Sequence, residues 1–187
     1  HALVLGAPGS GKTLVLLHRA KKLIQEQGVS PDRLRIFVYT NTLKDYIRST
    51  LPLLDIPESC GTTFDHWCHE FYTAFVNRRV PFGKKGPDFD ATRRGVLDKL
   101  RGGTPLSILQ AKGAQKTPVQ GNLLEEEHKE EIPQQEFPEF FAGEIGCPLY
   151  DAVLVDEGQD MTPDAFEILK RISSHVTVCM DSRQQLY

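Results

Sequence analysis

The stretch Ala2-Leu3-Val4-Leu5-Gly6-Ala7-Pro8-Gly9-Ser10-Gly11-Lys12-Thr13 decides the fold. Four apolar residues run unbroken into glycine, as in a strand buried on both faces of a parallel sheet. Gly6 to Thr13 then match the phosphate-loop pattern G-x-x-x-x-G-K-[ST] at every fixed position. Beyond the loop, Leu14, Leu17, His18 and the Leu23-Ile24 pair recur at helical spacing until Gly28, with Pro31 just past it. Glycines let backbone N–H groups turn inward around phosphate oxygens, and the following helix aims its positive end at the same point. Gly6, Ala7, Pro8, Gly9, Ser10 and Gly11 therefore read as a phosphate cradle. Lys12 reads as the cation that reaches the β- and γ-phosphates, and Thr13 as a hydroxyl ligand of Mg²⁺. Between a strand and a helix, the alternative of a purely structural glycine turn is the weaker reading.

Working outward, Arg35 to Tyr39 is β-branched and aromatic, and Thr40-Asn41-Thr42 after it suits a helix start. Gly61-Thr62-Thr63 leads in the same way into an aromatic-rich helix from Phe64 to Phe75. From about Val76 to Leu149 the alternation gives way to glycine, proline, lysine and glutamate. Only Thr92 to Leu100 has a helical pattern there, and Gln110 to Gln135 is polar enough for partial disorder. The alternation then resumes with a strand over Tyr150 to Val155, a helix over Pro163 to Ile172 opened by Thr162, and a strand over Val176 to Cys179. This order predicts an α/β domain of the P-loop NTPase class, a parallel sheet flanked by helices. Its expected division is residues 1–75 as a first part, 76–149 as an inserted, mostly helical or irregular subdomain, and 150–187 as a second part.

A phosphate cradle alone leaves the metal underligated and the attacking water unactivated, so carboxylates are expected at the end of another buried strand. Asp156-Glu157-Gly158-Gln159-Asp160 occupies that place. Asp156 is the candidate metal ligand, and Glu157 the candidate that orients or deprotonates water at the γ-phosphate. A solvated acidic turn is the competing reading, and it does not explain two carboxylates ending an apolar strand.

Composition bounds the rest. A chain of 187 residues, 40% hydrophobic and 25% charged, has room for one sizeable core. No apolar run is long enough to cross a bilayer and no secretory signal is visible, so no membrane partner is expected. Cys60, Cys68, Cys147 and Cys179 form no C-x-x-C pair, which suggests a reducing, cytoplasmic setting. His66, Cys68 and His69 with Cys60 are too irregularly spaced for a zinc knuckle. A net charge of −3 offers no global pull toward a polyanion. The acidic residues, however, gather in Glu125 to Glu131, while Arg19, Lys21, Lys22, Lys44 and Arg48 leave a local basic face possible.

D-E-x-Q-D at 156–160 resembles motif II of UvrD/Rep-like superfamily I helicases, and three further segments resemble that family in order. Tyr39 to Leu43 is similar to motif Ia, Thr62 to Trp67 to the T-F-H segment, and Asp181 to Tyr187 to motif III. The resemblance implies the first RecA-like motor domain, with an arm subdomain inserted before motif II. It implies ATP and Mg²⁺ as cofactors, Gln184 as a γ-phosphate sensor, and Thr40, Asn41, Thr63 and Phe64 on single-stranded DNA, with Tyr187 an aromatic near the bases. Read from the residues alone, Thr40 and Asn41 serve equally well as helix caps, and Phe64, Trp67, Phe71 and Phe75 at helical spacing suit a core. Asp65 stands where the family has histidine, and Met180 where it has glycine. No N-K-x-D guanine-reading segment is present, which makes adenine the default base. The family places an adenine-reading motif upstream, and arginines and a second RecA-like domain downstream. The chain is accordingly expected to be a piece of a larger protein, cytoplasmic or nucleoid-associated, that partners that second domain and binds nucleotide better than it hydrolyses it. Two functions stay open: an ATP-driven translocase or helicase on single-stranded nucleic acid, and an ATP-switched regulatory or interaction module without unwinding.

Overall fold

The computed structural model describes residues 1–84, 86–102 and 148–181. Gln184 and Tyr187, and the polar stretch Gln110 to Gln135, lie outside the described residues. In chain order the elements are β1 (Ala2–Gly6), α1 (Lys12–Gln25), β2 (Leu34–Val38), α2 (Asn41–Thr50), β3 (Gly61–Thr63) and α3 (Phe64–Phe75). There follow β4 (Phe82–Gly83), β5 (Gly86–Pro87), α4 (Phe89–Arg101), β6 (Tyr150–Val155), α5 (Pro163–Ile172) and β7 (Ser173–Asp181). Five strands form one sheet in the order β1-β7-β6-β2-β3, and every pair in it is parallel. β4 and β5 make a small antiparallel hairpin.

Successive side chains of a strand point to opposite faces, and here both faces are covered. Ile36, Ala152 and Leu154 join Leu16, Leu17, Ala20, Leu23 and Ile47 of α1 and α2 in one apolar layer. Phe37, Val153 and Val155 join α3, α4 and α5 in the other. An aromatic spine stiffens this second layer. Phe37 meets Phe64 edge-on at 5.5 Å, Trp67 stacks on Phe71 at 5.3 Å, and Phe71 leans on Phe75 at 4.8 Å. The indole N–H of Trp67 donates to the Tyr150 hydroxyl at 2.9 Å, so both buried polar tips are satisfied. The Arg35 guanidinium lies 5.1 Å over the Tyr150 ring.

Three expectations need correction. β1 is not buried on both faces: Leu3 and Leu5 are 55% and 51% exposed, because β1 lies at one end of the described sheet. β7 runs from Ser173 to Asp181, longer than its apolar centre suggests, because pairing to β6 begins at Ser173 and pairing to β1 continues to Asp181. α4 begins at Phe89 behind an Asp88 cap, and its Val96, Leu97 and Leu100 belong to the layer built by α3 and α5.

Two guanidinium groups tie the ends of the segments that flank residues 103–147. Arg101 of α4 pairs with Glu167 of α5 at 2.6 Å, and Arg171 pairs with the same carboxylate at 3.0 Å. Arg33 grips both carboxylate oxygens of Asp151, at 2.9 and 2.7 Å, and the Pro148 carbonyl at 3.0 Å. Among the described residues no helix is long and apolar enough to cross a membrane.

The hydrogen bonds from Arg101 and then Arg171 hold the Glu167 carboxyl down to about 2, from an ordinary 4.5. A folded value below the unfolded one means that the contribution is present above the ordinary carboxylate range and lost as pH falls through the folded value. Between pH 4.5 and about 2, stability of the wild type is expected to fall more steeply than that of Glu167→Gln, as chemical denaturation across that window would show.

Candidate functional site

In a parallel sheet all strands end on one side, and here those ends bring the singled-out residues together. Gly6, the last residue of β1, stands opposite Asp181 of β7, and Val155 of β6 stands opposite Val178 of β7 and Phe37 of β2. From Gly6 the chain turns tightly. Gly9 and Gly11 adopt left-handed conformations, with φ of 73° and 83°, which a side chain would oppose. A Cβ on Gly6 would sit 2.5 Å from the Ser10 hydroxyl, so a side chain there would displace Ser10. Lys12 opens α1, whose first N–H groups have no partner within the helix and point back toward the loop. Lys12 is buried, only 8% exposed, and its ammonium donates to the carbonyls of Gly6 and Ala7, both at 3.0 Å.

Thr13, one residue into α1, donates its hydroxyl to Oδ2 of Asp156 at 2.6 Å. Asp156 follows the last residue of β6 and is fully buried, with its own N–H bonded to the Phe37 carbonyl at 2.9 Å. Its Oδ1 accepts the Glu157 N–H at 3.1 Å. Burial raises the Asp156 carboxyl above the ordinary range; the Thr13 hydrogen bond opposes that shift and the Glu157 carboxylate adds to it. Glu157 itself is in the left-handed region, with φ of 54°, and turns away from the strand direction. Behind it, a Cβ on Gly158 would collide with Val178 of β7, and Met180 lies just beyond. Gln159 reaches both the Glu157 carboxylate and the end of β7.

The residues expected to meet nucleic acid separate. Thr40 caps α2, its hydroxyl accepting from Leu43 N at 3.2 Å, and is exposed together with Asn41. Asn41 Oδ1 accepts from the Lys44 ammonium at 3.2 Å. Thr63 caps α3 by accepting from His66 N at 3.2 Å and is only 7% exposed. Phe64 is 4% exposed, and its ring packs edge-on against Phe37. Tyr39, half exposed just past β2, lines a groove of about 360 Å³ with Asn41, Thr63, Asp65, His66 and Phe89. The sequence by itself points to no role for Tyr39. The available signal was its position, directly after a fully buried strand and directly before the helix cap.

Asp65, expected to place a negative charge on this side, is paired with Arg93 of α4 at 3.4 Å. Its carboxyl is raised by burial, an effect that Arg93 opposes. Cys60, Cys68 and Cys179 are all buried free thiols, which burial pushes up to about 11 for Cys60, well up for Cys68, and up to about 12 for Cys179. Such thiols stay protonated and do not act as nucleophiles.

A glycine loop at the tip of one parallel strand, with a carboxylate at the tip of the next strand but one, defines a RecA-like α/β nucleotide-binding domain. Residues 1–136 match the model of the UvrD/REP helicase N-terminal domain, and the chain belongs to that family. No curated protein matches the chain.

Because the folded value of Asp156 lies above the unfolded one, its contribution to stability is present at low pH and lost as pH rises through the folded value. Asp156→Asn keeps an oxygen for the Glu157 N–H, turns its NH₂ to the Thr13 hydroxyl, which can accept instead of donate, and removes the buried charge. Its melting temperature at neutral pH, without nucleotide, is expected to equal or exceed that of the wild type, with the advantage shrinking in acid. Scanning calorimetry at two pH values would measure this, and a clearly lower melting temperature at neutral pH would contradict it.

Proposed function

We propose that this domain is the Mg-ATP-binding half of a motor that couples ATP hydrolysis to movement on single-stranded nucleic acid. The observation that carries the reading is the convergence of Thr13 and Asp156, from two separate elements, to 2.6 Å at the mouth of the glycine loop. A hydroxyl and a carboxylate are hard oxygen donors, the set that Mg²⁺ prefers, and the loop beside them is shaped for phosphate. When bound there, Mg²⁺ offsets the charge of the β- and γ-phosphates. Loop N–H groups and the start of α1 hold the phosphates, and Lys12 exchanges its carbonyl partners for them. Glu157, turned out of the strand direction, orients the attacking water and takes its proton. Gln184 is the proposed γ-phosphate sensor and Tyr187 a proposed aromatic contact to the bases. The arginines that complete turnover come from a second RecA-like domain.

Single strands are proposed to cross the ends of β2 and β3. Thr40, Asn41 and Thr63 hold phosphates there, with Phe64 beside them, and Tyr39 offers a more exposed ring for stacking. The pairing of Asp65 with Arg93 supports this face, since it offsets the negative charge of Asp65 there.

Lys12→Ala removes the only cationic side chain of the loop, and affinity for Mg-ATP is expected to fall by about tenfold or more, measured by calorimetry. In the full chain, Tyr39→Ala and Asn41→Ala are expected to reduce stimulation of ATP turnover by single-stranded DNA, while nucleotide affinity stays within about twofold. If neither single-stranded DNA nor RNA stimulates the wild type, the motor reading is refuted and an ATP-switched module is left.

A further inference from the structure

Gln159 sits in the turn after Glu157 and uses both ends of its amide. One end meets Oε2 of Glu157 at 2.5 Å, and the other meets the backbone N–H of Asp181, the last residue of β7, at 3.1 Å. The orientation of the amide is fixed by chemistry. The Asp181 N–H can only donate, so the amide oxygen faces it, which leaves the NH₂ group for the carboxylate. Either bond reversed would set donor against donor, or acceptor against acceptor.

The turn that carries Gln159 is itself held against β7. No side chain fits at Gly158, where a Cβ would collide with Val178 and meet Met180 Cγ at 3.3 Å. Asp160 N–H bonds the Glu157 carbonyl at 3.1 Å and Met161 N–H the Gly158 carbonyl at 3.2 Å, closing the turn on itself. The left-handed backbone of Glu157 starts this turn, so its side chain leaves the sheet in a direction set by the turn and not by β6.

We infer that Gln159 is a positioning residue for Glu157: its amide fixes which way the carboxylate faces and fastens that orientation to the end of β7. The inference rests on the proposed role of Glu157 as the group that prepares the attacking water. A carboxylate free to rotate presents a lone pair to the water only part of the time, whereas one tethered at Oε2 keeps Oε1 available. The requirement is for a side chain that donates at one end and accepts at the other over the same reach, which among the twenty residues describes glutamine here. Glutamate keeps the acceptor for Asp181 and loses the donor; methionine keeps the length and loses both.

The test uses the full chain in steady-state and single-turnover ATP hydrolysis, with nucleotide affinity measured separately by calorimetry. Gln159→Met is expected to lower kcat between about 10-fold and about 100-fold, the range over which a misplaced catalytic group acts, while the Kd for Mg-ATP stays within about twofold. In a Glu157→Gln background the same substitution is expected to add no more than about twofold, because a residue that acts only through Glu157 has nothing left to position. Gln159→Glu, which retains size and the bond to Asp181, is expected to show the same loss and stands in should Gln159→Met fail to fold. The inference is overturned if Gln159→Met keeps kcat within twofold, if affinity falls in step with turnover, or if its effect multiplies with that of Glu157→Gln. Survival of turnover in Glu157→Gln alone marks a different failure, that of the water-preparing role itself, and takes the inference with it.

Discussion

Asp156 is a carboxylate with no exposed surface, lodged at the end of the buried apolar run Ala152 to Val155. A buried charge of this kind must be surrounded by donors or it neutralises. Its donors are the Thr13 hydroxyl and the Glu157 N–H, and the first of these comes from the start of α1, far away in sequence. Meeting that demand holds the glycine loop, the start of α1 and the tip of β6 in one small volume. The two apolar layers above and below the sheet supply the stability that offsets the burial. Lys12 and Asp156 thus share a site because the fold leaves each few other places to satisfy its charge.

The layer built on the aromatic spine fixes what lies on the other half of the sheet edge. Phe64 is the first residue of α3 and is locked under Phe37, so the helix is seated by its opening residue. The Thr63 cap is held just above it, and the groove beside Tyr39 is framed by residues whose neighbours are core. α4 completes this layer and carries Arg93 to Asp65, which joins the segment after residue 76 to the face of β2 and β3.

What could be read from the sequence follows from how local each signal is. The bounds of α3 and α5 match their expectations because both are announced by threonine caps, Thr63 and Thr162, followed by apolar residues at helical spacing. The glycine loop and the Asp156-Glu157 pair were equally legible, since their chemistry lies in consecutive residues. The exposure of Leu3 and Leu5 was not legible: it depends on where β1 falls in the strand order, which no stretch of β1 encodes. Nor was the choice between Tyr39 and Phe64 as the accessible ring, which turns on three-dimensional packing against Phe37. The contact of Arg93 with Asp65 joins positions 28 apart through a segment read as an insertion, so the charge of Asp65 looked unanswered.

The guanidinium grips at Arg101 and Arg33 bear on how this domain can diverge. Each fastens one flank of residues 103–147 to an element that also packs in the core: α4 to α5 through Glu167, and the approach to β6 through Asp151. Lengthening a connection costs little once its ends are pinned, since closure entropy grows only with the logarithm of its length. Both grips lie toward the opening end of β6, whereas Asp156 follows its last residue, so a change of length between the flanks enters the domain at the end of the strand away from the glycine loop.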